Sequence, residues 1–400
     1  MPEDTAPRSD AVRLAHLADL HLDFRAYQRT DARGRNQRQM DAHAAFTHAV
    51  EQILAVQPDV VVIAGDVYHR PLPYPESLHF GFRQVRRLTK AGIPVVAIAG
   101  NHETPKQRDM GCPLSLLEEA DATVVIREAR TVRVGDFAVG CLPSAALTVG
   151  DWPHRDPDAR CNVLLAHGGF AGIWPYAARP DGNLPPEQFE GWDYVALGDY
   201  HVAHQVAPNA WYSGALDYVT TNPWAELQAE TTQGRPGVKG WLLVTLKPGE
   251  PPQVALQPVP LARQVVELPA LDATGLSAEQ VNAQLAVNAA GELEGQIVRQ
   301  RVQEITREVS QGIDYRWVRR MKSAALQYQL TLSRAQEARA LGSMVFDGGR
   351  RRTLAEIVAD KLMTMPLPPD VDRGRLVALG AHYLHEAERA DATPAEGVAA

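Results

Sequence analysis

Five short apolar runs in this 400-residue chain each end directly in side chains that can bind a metal ion. The central run, residues 60–64, has no polar interruption and is followed by Gly65 and Asp66. An unbroken run of this length is typical of a strand buried on both faces of a parallel sheet. The other four runs lie at residues 12–18, 95–99, 163–166 and 194–197, and they end in Asp19-Leu20-His21, Gly100-Asn101-His102-Glu103, His167 and Gly198-Asp199-Tyr200-His201. Open α/β sheets bind ligands at the carboxyl ends of their strands, so we expect one site centred on Asp66.

The segments between and after these runs predict an α/β protein with an α+β extension. Residues 40–56 and 76–91 have the apolar spacing of helices, which gives β-α-β units with the neighbouring strands. The character changes near residue 260, where helices and strands alternate as in a small α+β domain. We therefore expect four segments: a catalytic domain at 10–260, a capping domain at 261–336, a linker at 337–350, and C-terminal helices at 351–390.

Composition narrows the class of protein. The chain is 45% hydrophobic and 22% charged, as is usual for a soluble enzyme, and it has neither a signal-peptide pattern nor a membrane-length apolar run. The three cysteines are far apart, so neither a thiolate zinc site nor a disulfide framework is expected. A net charge of −8 argues weakly against a nucleic-acid binder, although arginines cluster locally. We expect a cytoplasmic protein that does not bind membranes.

The motif order resembles that of the calcineurin-like metallophosphoesterases, whose signature is D-x-H, GD, GNH[D/E], H and GHxH. Here the corresponding positions read Asp19-x-His21, Gly65-Asp66, Gly100-Asn101-His102-Glu103, His167 and Gly198-Asp199-x-His201. One position departs from the pattern, because Asp199 stands where the family has a histidine. The resemblance implies a four-layer α-β-β-α sandwich. It also implies two divalent metal ions, one held by Asp19, His21, Asp66 and His201, the other by Asp66, Asn101, His167 and Asp199.

The same resemblance assigns chemistry to two further histidines. The histidine of the GNH motif, His102, is expected to steady the phosphate and protonate the leaving oxygen, with Glu103 orienting it. His69, three residues after Asp66, is expected to touch the scissile phosphate. A ligand set of nitrogen and oxygen without thiolate favours Mn²⁺, with Fe or Zn²⁺ as alternatives.

Within the superfamily, the chain resembles the nuclease subunit of the bacterial SbcC–SbcD complex and its archaeal and eukaryotic counterparts. The resemblance is carried by Gly65-Asp66-Val67-Tyr68-His69, by Tyr212-Ser213-Gly214 and by the α+β extension. It implies a DNA exo/endonuclease that acts in repair, a homodimer, and an SbcC-like ATPase on which the C-terminal helices dock. An alternative is that these helices pack on the catalytic domain.

Candidate DNA contacts are Arg25, Arg29 and Arg35, from an arginine-rich segment after His21, together with Tyr212 and Ser213. A solvated surface loop explains the same arginines equally well. Two other functions fit the motifs. One is a phosphatase or phosphodiesterase acting on a small molecule, and the other is a scaffold whose metal site has decayed at Asp199.

Overall fold

A computed structural model of the protein describes residues 11–105, 111–170, 183–334, 345–347, 350–352, 358–359, 361–363 and 372–380. The chain divides into two compact units. The first contains the residues up to Glu267 together with Glu292–Arg299 and Arg319–Gln329. The second contains Leu268–Gly291, Gln300–Val318 and the residues from Leu330 onward.

The first sheet of unit one contains three of the five apolar runs as neighbouring strands. Its strands are β1 Val12–Leu17, β2 Val60–Ile63, β3 Val95–Ile98, β4 Thr123–Val125, β13 Gly240–Leu246 and β14 Gln253–Pro258. Their order is β14-β13-β1-β2-β3-β4. The four strands β1 to β4 run parallel, while β13 and β14 close one edge in antiparallel pairs. The carboxyl ends of β1, β2 and β3 therefore meet at one edge.

The second sheet of unit one contains the two remaining runs. Its strands are β5 Arg130–Val134, β6 Phe137–Leu142, β7 Asn162–His167, β10 Tyr194–Gly198, β11 His204–Ala207 and β12 Ala210–Tyr212. Their order is β11-β12-β10-β7-β6-β5, with a parallel centre and antiparallel edges. A separate parallel pair is formed by β8 Gly169–Phe170 and β9 Asn183–Leu184.

Helices cover the outer faces of these sheets. They are α1 Gln37–Val56, α2 Pro75–Lys90 and α3 Ser144–Val149, with 3₁₀ turns at Pro113–Ala120 and Pro186–Phe189. A further helix, α4 Pro223–Thr232, packs through Trp224 in a separate core with Val265 and Ile297. Helix α1 begins three residues before the predicted start, because the Asn36 side chain accepts hydrogen bonds from the backbone of Arg38 and Gln39. Proline at the first position fixes the start of α2.

Along each buried strand, successive side chains face alternately the helices and the other sheet, which produces the four layers. In β2, Val61 and Ile63 belong to the core that contains Phe46 and Ile53 of α1, while Val60 and Val62 belong to the core between the sheets. The second sheet alternates in the same way. Its residues Val163 and Leu165 lie in the core between the sheets, and Leu164 and Ala166 in an outer core with Ala146 and Leu147 of α3. Two-sided burial is why the sequence shows unbroken apolar runs, and the predicted α-β-β-α fold is confirmed.

The expected capping region has the predicted α+β content. Its elements are β15 Val265–Glu267, β16 Leu271–Asp272, α5 Ala278–Asn288, β17 Ile297–Ile305, α6 Arg307–Gln311, α7 Tyr315–Ala324 and β18 Gln327–Arg334. In unit one, β15 runs parallel to the first residues of β17. In unit two, β16 runs parallel to its later part. Ser277 and Gln280 form a capping box at the start of α5, as the sequence indicates.

The part of unit two that follows residue 334 is described only in part. The expected linker at 337–350 contains strand β19 Val345–Asp347, which pairs antiparallel with β20 Arg350–Arg352. Helical residues occur at 358–359, 361–363 and 373–380, within the expected C-terminal helices. The expected helical segment 351–390 also contains the end of β20 and Asp372, and its other residues lie outside the described ones. Among the described residues, no helix is long and apolar enough to cross a membrane.

Candidate metal centre

Asp66 lies at the centre of a buried cluster of histidines and carboxylates in unit one. It follows β2 by three residues and is 1% exposed. Its Oδ2 atom is 3.6 Å from Nε2 of His21 and 3.5 Å from Nε2 of His167. Asp66 therefore lies close to both imidazoles, and its role as a carboxylate shared by two groups of ligands stays a prediction.

On one side of Asp66 lie Asp19, His21 and His201, whose potential ligand atoms are all within 4.8 Å of one another. Asp19 and His21 follow β1, and His201 follows β10, so two different sheets supply this group. The Nε2 atoms of His21 and His201 are 3.1 Å apart. Two imidazole nitrogens that face each other at this distance can direct their lone pairs towards a shared cation.

A second group near Asp66 contains Asn101, His167 and Asp199, and Asp19 also has a potential ligand atom within 4.8 Å of those of Asp66 and His167. The Nε2 atom of His167 is 2.9 Å from Oδ1 of Asn101 and 3.8 Å from Oδ1 of Asp199. The carboxylate at position 199 is 6% exposed and faces this cluster, although the family pattern has a histidine here. Nδ1 of His167 is 2.8 Å from the carbonyl oxygen of Ala64, so this nitrogen donates and Nε2 faces the cluster.

A third group combines His21 with the two expected catalytic histidines. The potential ligand atoms of His21, His69 and His102 lie within 4.8 Å of one another. Nδ1 of His69 is 3.1 Å from Nδ1 of His21. Burial and the neighbouring His102 lower the pKa of His69 to about 4, so its ring is neutral at pH 7. The structure thus brings His69 and His102 to the edge of the same cluster.

The electrostatics of this cluster fit a cationic ligand. Asp19, Asp66 and Asp199 are at most 6% exposed, and burial is the main cause that raises the pKa of Asp19 to about 7. Burial alone would lower the pKa of His167, but the nearby carboxylates outweigh it and raise the pKa to about 9. Both the carboxyl group of Asp19 and the ring of His167 therefore hold their protons more tightly than usual. This indicates that the cluster has buried negative charge without enough positive charge to balance it. Divalent ions held by oxygen and nitrogen atoms would supply it.

The backbone at the cluster adopts conformations that non-glycine residues rarely occupy. Asp19, His21, Asp66 and Asp199 have φ values of 52°, 42°, 52° and 105°. Such strain concentrates at functional sites, where the surrounding structure imposes it. Position 100 requires glycine for a steric reason, because a Cβ atom there would overlap the Asp66 carboxylate.

Glu103 does not orient His102 as expected. Its buried side chain accepts hydrogen bonds from the backbone N–H groups of Val67, Tyr68 and Gly100, at 3.2–3.3 Å. It therefore joins the loop after β2 to the loop after β3. The carbonyl oxygen of His69, 2.8 Å from Nδ1 of His102, orients the His102 ring instead.

Two of the three arginines expected at DNA are engaged within the protein. Arg29 donates to the carbonyl oxygens of Lys322 and Ser323, at 2.5 and 3.2 Å, at the end of α7. Arg35 pairs with Asp31 at 2.7 Å and Glu76 at 3.5 Å. Backbone carbonyls and carboxylates therefore already engage these guanidinium groups. Their contact with phosphate stays a prediction.

The third arginine, Arg25, is exposed and stacks on a tyrosine near the cluster. Its Cζ atom is 4.6 Å from the ring centroid of Tyr74. Arg70, which the sequence analysis missed, lies over the same ring at 5.7 Å, and its Nε is 2.9 Å from Oδ2 of Asp23. The position of Arg70 directly after His69 is the signal that could have identified it.

Tyr212 and Ser213 are not accessible to DNA in this structure. Both are at most 1% exposed, and the Tyr212 hydroxyl donates to the carbonyl oxygen of Gly168 at 2.7 Å. Their expected contact with DNA is corrected accordingly, because a buried side chain cannot reach a duplex. Tyr212 supports the loop that follows His167, while the Ser213 hydroxyl donates to the carbonyl oxygen of Gly214 at 3.3 Å.

A buried ionic network beside His201 was also missed. Glu226 and Glu230 on α4 are at most 8% exposed, and Nζ of Lys239 is 2.5 and 2.9 Å from their carboxylates. Burial alone would raise the pKa of Glu226, but Lys239 and His201 outweigh it and lower the pKa to about 2. Two features of the sequence could have identified this helix. Asn222-Pro223 is typical of a helix start, and Glu226 and Glu230 follow four residues apart.

Comparisons with known proteins identify relatives of this chain and its family. Three relatives are described as "DNA double-strand break repair protein Mre11". That of Aeropyrum pernix is 38% identical over 229 residues (51% of this chain, 53% of the relative). That of Methanopyrus kandleri is 29% identical over 210 residues (48% of this chain, 45% of the relative). That of Saccharolobus solfataricus is 26% identical over 198 residues (48% of this chain, 49% of the relative). The chain spans about half the length of the curated relatives it matches. The family model for calcineurin-like phosphoesterases matches residues 12–249, which is more than half of the chain, and the protein therefore belongs to the calcineurin-like phosphoesterase family.

Proposed function

We propose that this protein is a DNA nuclease of the repair type, which hydrolyses phosphodiester bonds with two divalent metal ions. The observation that carries the proposal is the position of Asp66, whose Oδ2 lies about equally far from His21 and His167, at 3.6 and 3.5 Å. A carboxylate shared by two groups of ligands suits a bridged pair of metal ions. Two bound divalent ions would lower the pKa of a water molecule and neutralise charge on the phosphoryl oxygens.

The ligands of the two ions would be divided about Asp66. The first ion would take Asp19, His21, Asp66 and His201, and the second would take Asp66, Asn101, His167 and Asp199. Among the metals that suit nitrogen and oxygen ligands we favour Mn²⁺, with Fe and Zn²⁺ as alternatives.

Two histidines would act on the phosphate itself. Nδ1–H of His102 donates to the His69 carbonyl oxygen, so Nε2 can give a proton to the leaving oxygen when the ring is in its doubly protonated imidazolium form. Nε2 of His102 lies 4.0 Å from Oδ2 of Asp66, close to the groups that would hold the metals. The neutral ring of His69 would donate a hydrogen bond to the scissile phosphate.

Cationic groups near the loop after His21 support DNA as the substrate. Arg25 is exposed and Arg70 is half-exposed beside Tyr74. Arg29 ties the same loop to the end of α7, where Arg319, Arg320 and Lys322 are exposed. Arginine and lysine side chains contact the DNA backbone without reading its sequence. The names of the Mre11 relatives point in the same direction.

We also propose that the protein acts in the cytoplasm as a homodimer with an SbcC-like ATPase. Met363 and Leu379 in the C-terminal helical segments are 56% and 47% exposed. Arg373 donates to the carbonyl oxygens of Leu362 and Met363, which joins these segments to each other within unit two. Two short joined helices with exposed apolar side chains suit docking on a partner.

A cavity beside His201 favours a second candidate function. Its volume is about 590 Å³, and its lining includes Tyr200, Thr220, Asn222 and Gln228. A cavity of this size with neutral polar groups can hold a small molecule. A phosphatase or phosphodiesterase that acts on a small substrate is therefore the alternative.

One assay separates these functions. The purified full chain with Mn²⁺ is given end-labelled duplex DNA and, in parallel, chromogenic phosphodiester and phosphomonoester substrates. We expect DNA cleavage that a chelator abolishes and that Asp66→Ala lacks, while Glu51→Ala, at an exposed position, retains it. Hydrolysis of the chromogenic substrates without DNA cleavage would favour the small-molecule enzyme. Failure to bind both metal ions, together with the absence of any hydrolysis, would favour a scaffold whose metal site has decayed.

A further inference from the structure

Glu226 connects the buried ionic network on α4 to the candidate metal centre. Its Oε1 atom is 3.3 Å from Nδ1 of His201, while its Oε2 atom is 2.5 Å from Nζ of Lys239. Lys239 also donates to the carbonyl oxygen of His201, at 2.9 Å. Both the ring and the backbone of His201 are therefore held by this network. All of these groups belong to unit one.

The hydrogen bond from Nδ1 determines what the other ring nitrogen of His201 can do. When Nδ1–H donates to the Glu226 carboxylate, Nε2 carries a lone pair and faces Nε2 of His21, 3.1 Å away. A carboxylate partner fixes this tautomer and makes the imidazole a stronger electron donor to a metal ion. The corresponding Nδ1 of His167 donates to a backbone carbonyl, which is a weaker acceptor.

The two glutamates of α4 have different partners. Glu230 accepts hydrogen bonds from the Tyr218 hydroxyl at 2.5 Å and from the Gly237 backbone at 3.0 Å. Glu226 instead contacts His201. Both carboxylates are buried and share Lys239, which offsets the repulsion between like charges four residues apart. Glu230 therefore stabilises the fold around the helix, and Glu226 has a contact that a structural role does not require.

We propose that Glu226 is a positioning residue that orients His201 and strengthens its bond to a divalent metal ion, with Lys239 holding the carboxylate in place. The proposal rests on the metal site proposed above but not on DNA as the substrate. It predicts that the two metal sites differ in affinity, since Nδ1 of His201 has a carboxylate as its partner and Nδ1 of His167 has a backbone carbonyl.

Metal titration without DNA tests this proposal. Co²⁺ is added to the metal-free full chain and its visible absorption is recorded, and Mn²⁺ is titrated by calorimetry. We expect Glu226→Gln to weaken binding of one of the two ions by about 10- to 100-fold and to change the Co²⁺ spectrum. Glu230→Gln is the matched control. It loses a partner of the same lysine and should lower Tm while leaving both affinities unchanged.

Glu226→Asp keeps the charge opposite Lys239 and serves as the second variant if Glu226→Gln fails to fold. Its carboxylate is one methylene shorter, so it should also weaken one ion. The proposal would be overturned if a folded Glu226 variant bound both metal ions with wild-type affinity. It would also be overturned if Glu230→Gln lost as much metal affinity as the Glu226 variants. Wild-type protein that binds two ions yet leaves DNA intact would instead contradict the nuclease function, so the two failures are distinguishable.

Discussion

Nδ1 of His102 lies 2.8 Å from the carbonyl oxygen of His69, and this bond joins the two histidines expected to act on the phosphate. The backbone N–H of His102 also donates to Oδ1 of Asp66, at 3.0 Å. His102 is therefore oriented by the same loop that carries the shared carboxylate. We predict that its ring acts on the phosphate and does not hold a metal ion.

For this reason, His102→Ala should slow DNA cleavage by about 10²–10⁴-fold. The variant should still bind both metal ions, measured by elemental analysis after removal of free metal. His79→Ala, at an exposed position, is the control and should keep wild-type activity. Loss of an ion in His102→Ala would place this histidine among the ligands instead.

Asp199 should act as a ligand that replaces the family's histidine. Its Oδ1 lies 3.8 Å from Nε2 of His167, and its backbone N–H donates to Asp19 at 3.0 Å, which holds the loop in the site. We expect Asp199→His to remain active with a preference shifted from Mn²⁺ towards Zn²⁺, because a neutral nitrogen is a softer ligand. Asp199→Ala should lose one metal ion. Two tightly bound ions in Asp199→Ala would contradict this role.

The buried His16 should make the protein less stable in acid. Its neutral ring can accept from the Tyr194 hydroxyl at 2.9 Å and donate to the Leu197 carbonyl oxygen at 3.2 Å, and burial lowers its pKa to about 3. Between pH 6.5 and 3 only the unfolded chain gains this proton, so the free energy of unfolding falls as the pH drops through this window. At pH 5 the loss is about 2 kcal/mol.

The measurement compares the slope of Tm against pH in chelator-treated protein. His16→Gln removes the titrating group and should lose less Tm between pH 7 and 5 than the wild type. His79→Gln, at an exposed position, should keep the wild-type slope. Identical slopes in His16→Gln and the wild type would show that His16 does not carry the effect.

Removal of residues 349–400 should leave Mn²⁺-dependent nuclease activity intact and abolish co-purification with an SbcC-like ATPase. A milder variant is Leu379→Glu, which places a charge at an apolar side chain that is 47% exposed. Val287→Glu, at a 66% exposed position on α5, is the matched control and should leave the complex intact. Full co-purification of the truncated chain would mean that the C-terminal helices pack elsewhere.

The sequence alone determined the strands and the identity of the cluster. Burial on both faces gives the unbroken runs that identify β2, β3, β7 and β10, and each side chain expected to bind metal follows directly from such a run or from β1. Parallel pairing brings the positions after β1, β2 and β3 to one edge of the first sheet and those after β7 and β10 to one edge of the second, and the packing of the two sheets brings these edges together. The sequence thus predicted which side chains would lie near Asp66.

Only the tertiary structure decided which neighbours support that cluster. Glu103 and Glu226 are charged residues that resemble solvent-exposed ones in the sequence, yet both are buried because backbone N–H groups or Lys239 satisfy their carboxylates. Arg29 was expected to contact DNA, but its side chain donates to the carbonyl oxygen of Lys322, which is 293 positions later in the sequence. Partners so distant in sequence leave no local pattern, and charge alone does not reveal whether a side chain faces solvent, a substrate or the protein interior.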